Sequence, residues 1–330
     1  MNIKEEIIKL KKELDVTIVA HFYQKDEVFE MGDIVGDSLE LAKKSMEAPT
    51  ENIIFCGVGF MGQSVKVLAP QKRVLMPKIA CCAMAKMIDV DYYNMNLKIL
   101  NDAGIANDDI LPITYINSSA EVKAEVGKMG GYVCTSSNAY KIINKGLESG
   151  KKIFFVPDRC LGQNFAKQIG LKSAVVGIDD IEDVKNADII CFNGFCSVHQ
   201  LFTPEDVDFY REKYPDILVA VHPECDPAVV EKADFVGSTS QLIKYITEDI
   251  SSDQKVVVGT EFNMVNRLRE KNTFVLSSTK PECPTMNETT LEDLYNTLLS
   301  IKNKTYENEI TIDEDVAKYA KIALNRMFEV

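Results

Sequence analysis

The chain has 330 residues, enough for two or three domains at roughly 150 residues each, and 46% of them are apolar, ample for buried cores. Its 50 acidic against 37 basic residues leave a net charge of −13, which argues against nucleic acid as a partner, because a phosphate backbone needs a basic face. No apolar run reaches the roughly 18 residues of a membrane helix, and the opening Met1-Asn2-Ile3-Lys4-Glu5-Glu6 lacks the apolar core of a signal peptide. The expectation is a cytoplasmic protein with no membrane and no nucleic-acid partner.

In that compartment the nine cysteines are expected to be free thiols rather than disulfides. Cys56, Cys81, Cys134, Cys160, Cys191 and Cys225 read as small buried apolar residues.

In chain order, residues 3–14 form an amphipathic helix with Ile3, Ile7, Leu10 and Leu14 on one face. The apolar run 16–20 is a strand ending at His21-Phe22-Tyr23-Gln24. A polar cluster after a buried strand is where α/β folds place their ligand groups. Residues 32–38 lead into a helix. The strand 52–56 follows, then Gly57-Val58-Gly59 and another helix, and the strand 73–77 runs into Lys78-Ile79-Ala80-Cys81-Cys82-Ala83-Met84-Ala85.

The pattern then restarts. The strand 112–116 ends in Asn117-Ser118-Ser119, and 132–134 ends in Thr135-Ser136-Ser137-Asn138. The strand 152–156 ends in Pro157-Asp158, and 188–192 ends in Asn193-Gly194-Phe195-Cys196-Ser197-Val198-His199. A third round runs from 217–221 (tip His222-Pro223-Glu224-Cys225) through 235–236 (tip Gly237-Ser238-Thr239-Ser240) and 255–259 (tip Thr260-Glu261). Its last strand, 273–276, leads to Pro281-Glu282-Cys283-Pro284-Thr285-Met286.

Three rounds of βα units, each closed by a cysteine, imply parallel sheets covered on both faces. The expected fold class is α/β: three similar αβα-sandwich domains with parallel sheets in a pseudo-threefold arrangement around a central site. The divisions are 1–110 (with the N-terminal helix), 111–212, 213–300, and a helical tail over 301–330. Two further helices are expected, one capped at Thr290 with Asp293 three residues on, and one from Asp313.

The three histidines of the chain, His21, His199 and His222, all lie at strand tips, where imidazoles near neutral pKa suit proton transfer. Tyr23, Tyr115 and Glu224 are the other proton-carrying tip groups. The hydroxyl-rich tips are natural helix caps, and capping hydroxyls with free backbone N–H groups also make a pocket for carboxylate or phosphate. No Gly-x-Gly-x-x-Gly or Walker loop is present, so nucleotide binding has no support. Three distant thiols that meet, with no fourth, would leave a metal position open for chemistry.

With these motifs in order, from Ala20-His21-Phe22-Tyr23-Gln24 through Tyr115-Ile116-Asn117-Ser118-Ser119 and Gly194-Phe195-Cys196-Ser197-Val198-His199 to Cys283-Pro284-Thr285-Met286, the chain resembles the quinolinate synthase family. The resemblance implies a [4Fe–4S] cluster held by Cys82, Cys196 and Cys283, one from each unit, with Cys82 rather than Cys81 because it directly precedes Ala83-Met84-Ala85. It implies substrate contacts from His21, Tyr23, Ser38, Tyr115, Asn117, Ser136 (with Ser137 as the alternative), His199, His222, Glu224, Ser238 and Thr239. The implied reaction condenses iminosuccinate with dihydroxyacetone phosphate to quinolinate, phosphate and two waters, the open iron acting as Lewis acid. Tyr23 and Glu224 would move protons, with the histidines assisting, and an L-aspartate-oxidising enzyme would supply iminosuccinate. Two other readings compete: a [4Fe–4S] hydro-lyase acting on a small dicarboxylate, and a non-enzymatic iron–sulfur or zinc sensor.

Overall fold

The computed structural model describes residues 2–329. Thirteen short strands, all paired in parallel within their ladders, form three sheets. The first holds β1 (Val16–His21), β2 (Ile34–Gly36), β3 (Asn52–Cys56) and β4 (Arg73–Leu75), in the order β2-β1-β3-β4. The second holds β5 (Ile110–Tyr115), β6 (Tyr132–Cys134), β7 (Lys152–Val156), β8 (Ser173–Val175) and β9 (Ile189–Cys191), in the order β6-β5-β7-β9-β8. The third holds β10 (Leu218–Val221), β11 (Phe235–Val236), β12 (Val256–Gly259) and β13 (Thr273–Val275), in the order β11-β10-β12-β13.

Numbered within its own unit, each sheet runs second-first-third-last, and the middle one inserts β8 at its edge. The expected triplication is therefore present in the topology. In each unit the first strand is followed by a neighbour on one side and then by one on the other. That reversal opens a crevice at the carboxyl ends of the strands, where open α/β sheets bind ligands. Strands β1 and β5 are buried along their whole length, as parallel strands covered on both faces must be.

Two strands had no counterpart in the pattern read from the sequence: β2, which lies where only a helix entry was expected, and β8. Each is three residues long at a sheet edge, too short to carry a periodic signal.

One core joins the first two units and takes in Ala320, Ala323, Leu324 and Met327 of the C-terminal helix Glu314–Arg326. That helix crosses the helix Ala120–Lys128 at backbone contact: a Cβ on Gly127 would meet the Tyr319 carbonyl oxygen at 2.0 Å. The helix Leu291–Lys302, capped by Thr290 and Asp293 as expected, packs Leu294, Leu298 and Ile301 against Ile7 and Leu10 of the N-terminal helix Ile3–Glu13. Between the helices Leu291–Lys302 and Glu314–Arg326 the chain lies along β4, with Ile310 N–H donating to Val74 O at 2.8 Å and Met76 N–H to Asn308 O at 3.2 Å. The third sheet has its own cores on its two faces. Of the six cysteines expected to be buried, five are; Cys81 is exposed, because it sits on the outside of a loop whose next residue faces the interior.

Candidate active site

The three cysteine loops are built on one plan. In each unit the helix after the third strand starts with an N–H that bonds back to the loop. Gly59 donates to Ala80 O (2.8 Å), Arg159 to Gly194 O (2.9 Å) and Phe262 to Pro281 O (2.9 Å). Each acceptor lies two residues before a cysteine: Cys82, Cys196, Cys283. The carbonyl of that same cysteine then accepts from the residue four on, Lys86 (3.2 Å), Gln200 (3.1 Å) and Asn287 (3.2 Å), as each loop winds into a short 3₁₀ turn. This repeated frame puts Cys82, not Cys81, in register with the other two. All three thiols, each half-buried, line one cavity where the three units meet.

The first strand of each unit delivers a second repeated element. His21, Tyr115 and His222 stand at equivalent strand ends, with Tyr23, Asn117 and Glu224 two residues on. In both histidine tips the ring folds back, so that Nδ1 accepts from the backbone N–H of Tyr23 (3.1 Å) or Glu224 (3.3 Å). In the neutral ring this places the proton on Nε2, which in His222 faces the Ser136 hydroxyl at 3.2 Å. Burial, with the Arg267 guanidinium next for His21, lowers both imidazoles to about 3, so each is neutral at pH 7.

His199 stacks on His222 with ring centroids 4.7 Å apart. Its Nδ1 lies 3.0 Å from Glu224 Oε2, and its Nε2 lies 3.1 Å from Thr260 Oγ1. Burial pushes the Glu224 carboxyl up, but His199, His222 and the Tyr115 hydroxyl facing it prevail and hold it down to about 2. Thr260 is shared, its hydroxyl lying 3.0 Å from that of Tyr23, which also lies 2.9 Å from Thr239 Oγ1. Burial holds the Tyr23 phenol well above 10, so it keeps its proton through the neutral range. Tyr23, Thr260, His199 and Glu224 thus form one continuous polar chain through the first, second and third units.

Ser38, Asn117, Ser136 and Thr239 also line the cavity. Asn117 Oδ1 is buried without a partner. Ser136 and Ser137 separate cleanly: Ser136 faces His222 and the cavity, while Ser137 donates to Asp37 at 3.2 Å. Ser238 is fully buried and caps the helix Thr239–Lys244 through a capping box with Gln241; it is not among the lining residues.

Five residues were not singled out from the sequence. Asp37 caps the helix Ser38–Glu47 and takes hydroxyls from Ser137 and from Ser240 (2.8 Å), tying the second-strand tips of all three units together. Thr260 links Tyr23 to His199. Glu261 is fully buried and raised to about 8 by burial, although the N–H groups of Cys283, Met264 and Asn263 pull it down. It fixes the Cys283 loop to the helix Phe262–Arg267, with Oε1 accepting from Cys283 N–H at 3.3 Å. From that helix, Arg267 donates to the carbonyls of Phe22 and Gln24 (3.0 Å), and Asn263 donates to that of Tyr23 (3.0 Å). Capping residues are read locally as caps, and nothing local to Arg267 points at residues 22–24. No lysine or arginine lines the cavity among the described residues.

Buried neutral imidazoles, a phenol and a carboxylate converging with three thiols on the crevice of a parallel-sheet assembly are an enzyme's site. A binding module or structural scaffold would not carry so many proton-transfer groups in one water-poor cavity. The family described as quinolinate synthetase A protein matches residues 5–329, and the chain belongs to that family, enzymes of NAD biosynthesis. Two relatives named quinolinate synthase from Helicobacter pylori strains HPAG1 and ATCC 700392 / 26695 are 55% and 56% identical, covering 100% of this chain and 98% of each relative. One from Streptomyces coelicolor is 39% identical over 94% of this chain and 84% of its own length.

The bracket on residues 22–24 makes a specific expectation. Arg267→Met removes two carbonyl contacts, each of a strength of about 1.5–3 kcal/mol for a charged donor, and loosens the tip that carries His21 and Tyr23. Turnover should fall about tenfold or more with a smaller change in KM, and Arg267→Lys should recover part of it. Equal loss in both variants with unfolding by circular dichroism would reduce Arg267 to a purely structural role.

Proposed function

We propose that this chain condenses iminosuccinate with dihydroxyacetone phosphate, releasing quinolinate, phosphate and two waters, with a [4Fe–4S] cluster held by Cys82, Cys196 and Cys283. The observation that carries the reading is the repeated loop frame that brings one thiol from each unit into the cavity shared by Tyr23, Glu224 and the three histidines. The donor set fits such a group. Within the same cavity, Cys196, His199 and Glu224 bring metal-capable side-chain atoms within 4.8 Å of one another. Three thiols, one from each unit, on the wall of one cavity suit a multinuclear group in which each thiolate binds a different metal ion. A [4Fe–4S] cluster held by these three thiolates would keep one iron without a protein ligand, and would supply Lewis acidity toward a leaving hydroxyl.

The residues do the remaining work. Ser38, Ser136 and Thr239 through their hydroxyls, and Asn117 through its side-chain N–H groups, hold the carboxylates and phosphate, and so bring two small substrates together. Tyr23, which stays protonated, is the proton donor for dehydration. Glu224 accepts protons during tautomerisation and passes them to His199, with His21 and His222 presenting neutral Nε2–H groups to the substrate oxygens. The chemistry of iminosuccinate, an oxidised amino acid that hydrolyses readily, calls for an L-aspartate-oxidising enzyme as supplier.

The test is quinolinate formation and phosphate release from dihydroxyacetone phosphate by anaerobically reconstituted protein. A hydro-lyase acting on one dicarboxylate would release no phosphate, and a sensor would turn over nothing.

Binding in this reading comes from hydroxyls and oriented backbone dipoles, with no lysine or arginine lining the cavity among the described residues. Such contacts are screened little by salt. Apparent substrate affinity should change only modestly between about 0.05 and 0.5 M salt, over which the Debye length shrinks severalfold. Ser38→Ala and Thr239→Ala should each weaken binding by about 1–3 kcal/mol by leaving a charged group unpaired. A steep salt dependence with normal binding by both variants would assign recognition to lysines or arginines outside the cavity.

A further inference from the structure

We infer that the cluster-free chain binds one Zn²⁺ ion at Cys196, His199 and Glu224, and that this ion competes with iron for the site. The three ligand atoms lie within 4.8 Å of one another. Tetrahedral zinc, with bonds of about 2.0–2.3 Å, needs donors roughly 3.3–3.8 Å apart, so small side-chain adjustments suffice. A cysteine, a histidine and a carboxylate with a fourth position left to solvent is a donor set zinc accepts.

The histidine supplies a second, independent indication. His199 is only 2% exposed and its Nδ1 has no hydrogen-bond partner, yet it sits 3.0 Å from a carboxylate oxygen of Glu224. A cation held between the two atoms, a proton or a metal ion, would satisfy both. On the other side of the ring, Nε2 meets the Thr260 hydroxyl at 3.1 Å. With the ring proton on Nε2, that contact leaves the Nδ1 lone pair free, as an orienting partner does for a metal-bound histidine. Thr260 is itself held by Tyr23, so the ring has little freedom to turn.

Charge supports the same conclusion. Thiolate, carboxylate, neutral imidazole and Zn²⁺ sum to zero. Binding releases the thiol proton to solvent as the Zn–S bond forms. Because Cys196 also belongs to the three-thiol frame, an ion seated here removes one thiolate from cluster assembly. The zinc site needs neither Cys82 nor Cys283, which separates it from the cluster reading.

The experiment titrates anaerobic, chelator-stripped full-length protein with Zn²⁺ against a competing chromophoric chelator. One equivalent should bind, more than tenfold weaker in His199→Ala, Glu224→Gln and Cys196→Ser, and within about twofold of the parent in Cys82→Ser and Cys283→Ser. Co²⁺ in place of Zn²⁺ should show a thiolate-to-metal absorption band that is lost in Cys196→Ser alone among the three cysteine variants. Zinc-loaded protein should take up less than a tenth of the iron that stripped protein does. Far-UV circular dichroism guards against misfolded variants, and Glu224→Gln, which keeps the side chain's shape, carries the test if others unfold. Absence of zinc binding, or equal loss in all three cysteine variants, overturns the inference. Parent protein that binds zinc at these residues but no iron upholds the zinc site while sinking both its competition with iron and the cluster reading.

Discussion

Replacing Cys82, Cys196 or Cys283 by serine should abolish cluster loading, taking bound iron from about four atoms per chain to near zero, while Cys81→Ser retains it. The expectation rests on the loop frame. Each of the three cysteines follows by two residues a carbonyl fixed by the next helix's first N–H, and each begins a turn closed by its own carbonyl. Cys81 is one residue out of that register and is exposed. Burial pushes the Cys82 thiol up to about 12 and raises Cys196 and Cys283 as well. Only a bound cation therefore stabilises three thiolates together, and loss of one removes a third of the ligands at a site with none to spare. Iron and sulfide counts with the visible absorbance after anaerobic reconstitution check this. Full iron in Cys82→Ser with loss in Cys81→Ser would reverse the assignment.

Tyr23→Phe should lower turnover by about 10²–10⁴-fold, the usual range for a positioned acid or base, while fold and iron content stay at parent levels. Only one oxygen is removed. Its contacts are to Thr239 and Thr260, and Thr260 keeps its contact with His199, so the stability cost should be about 1 kcal/mol. The phenol's raised pKa means it holds its proton from pH 6 to 9. No limb of the pH–rate profile in that window should belong to it, and the variant's profile should keep the parent's shape at a lower level. Turnover at the parent rate would remove Tyr23 from proton transfer and leave it a spacer between Thr239 and Thr260.

The tip residues were legible because strand ends in a buried parallel sheet are marked by an abrupt change from apolar runs such as Ile53-Ile54-Phe55 to polar clusters. All three histidines, Tyr23, Tyr115 and Glu224 were found that way, and the structure brings them to one cavity. Ser238 shows the limit of the same logic: a hydroxyl at a tip marks a cap as readily as a ligand contact, and local sequence does not separate the two; here it caps the helix Thr239–Lys244. Cys81 shows another, since adjacent residues in an irregular loop have no periodicity to say which one faces inward.

Sequence alone determined the class of fold and the three rounds, because those follow from local signals: apolar runs of strand length, helix caps such as Thr290 with Asp293, and turn residues between them. The tertiary structure alone decided how the rounds meet. Asp37 receives hydroxyls from residues 100 and 203 positions away, and Arg267 holds carbonyls 243 and 245 positions away. Such contacts leave no trace in local composition, since either partner alone is an ordinary cap or a surface arginine. They form only once three sheets have packed, and the same packing put Cys82, rather than its neighbour, in register with Cys196 and Cys283.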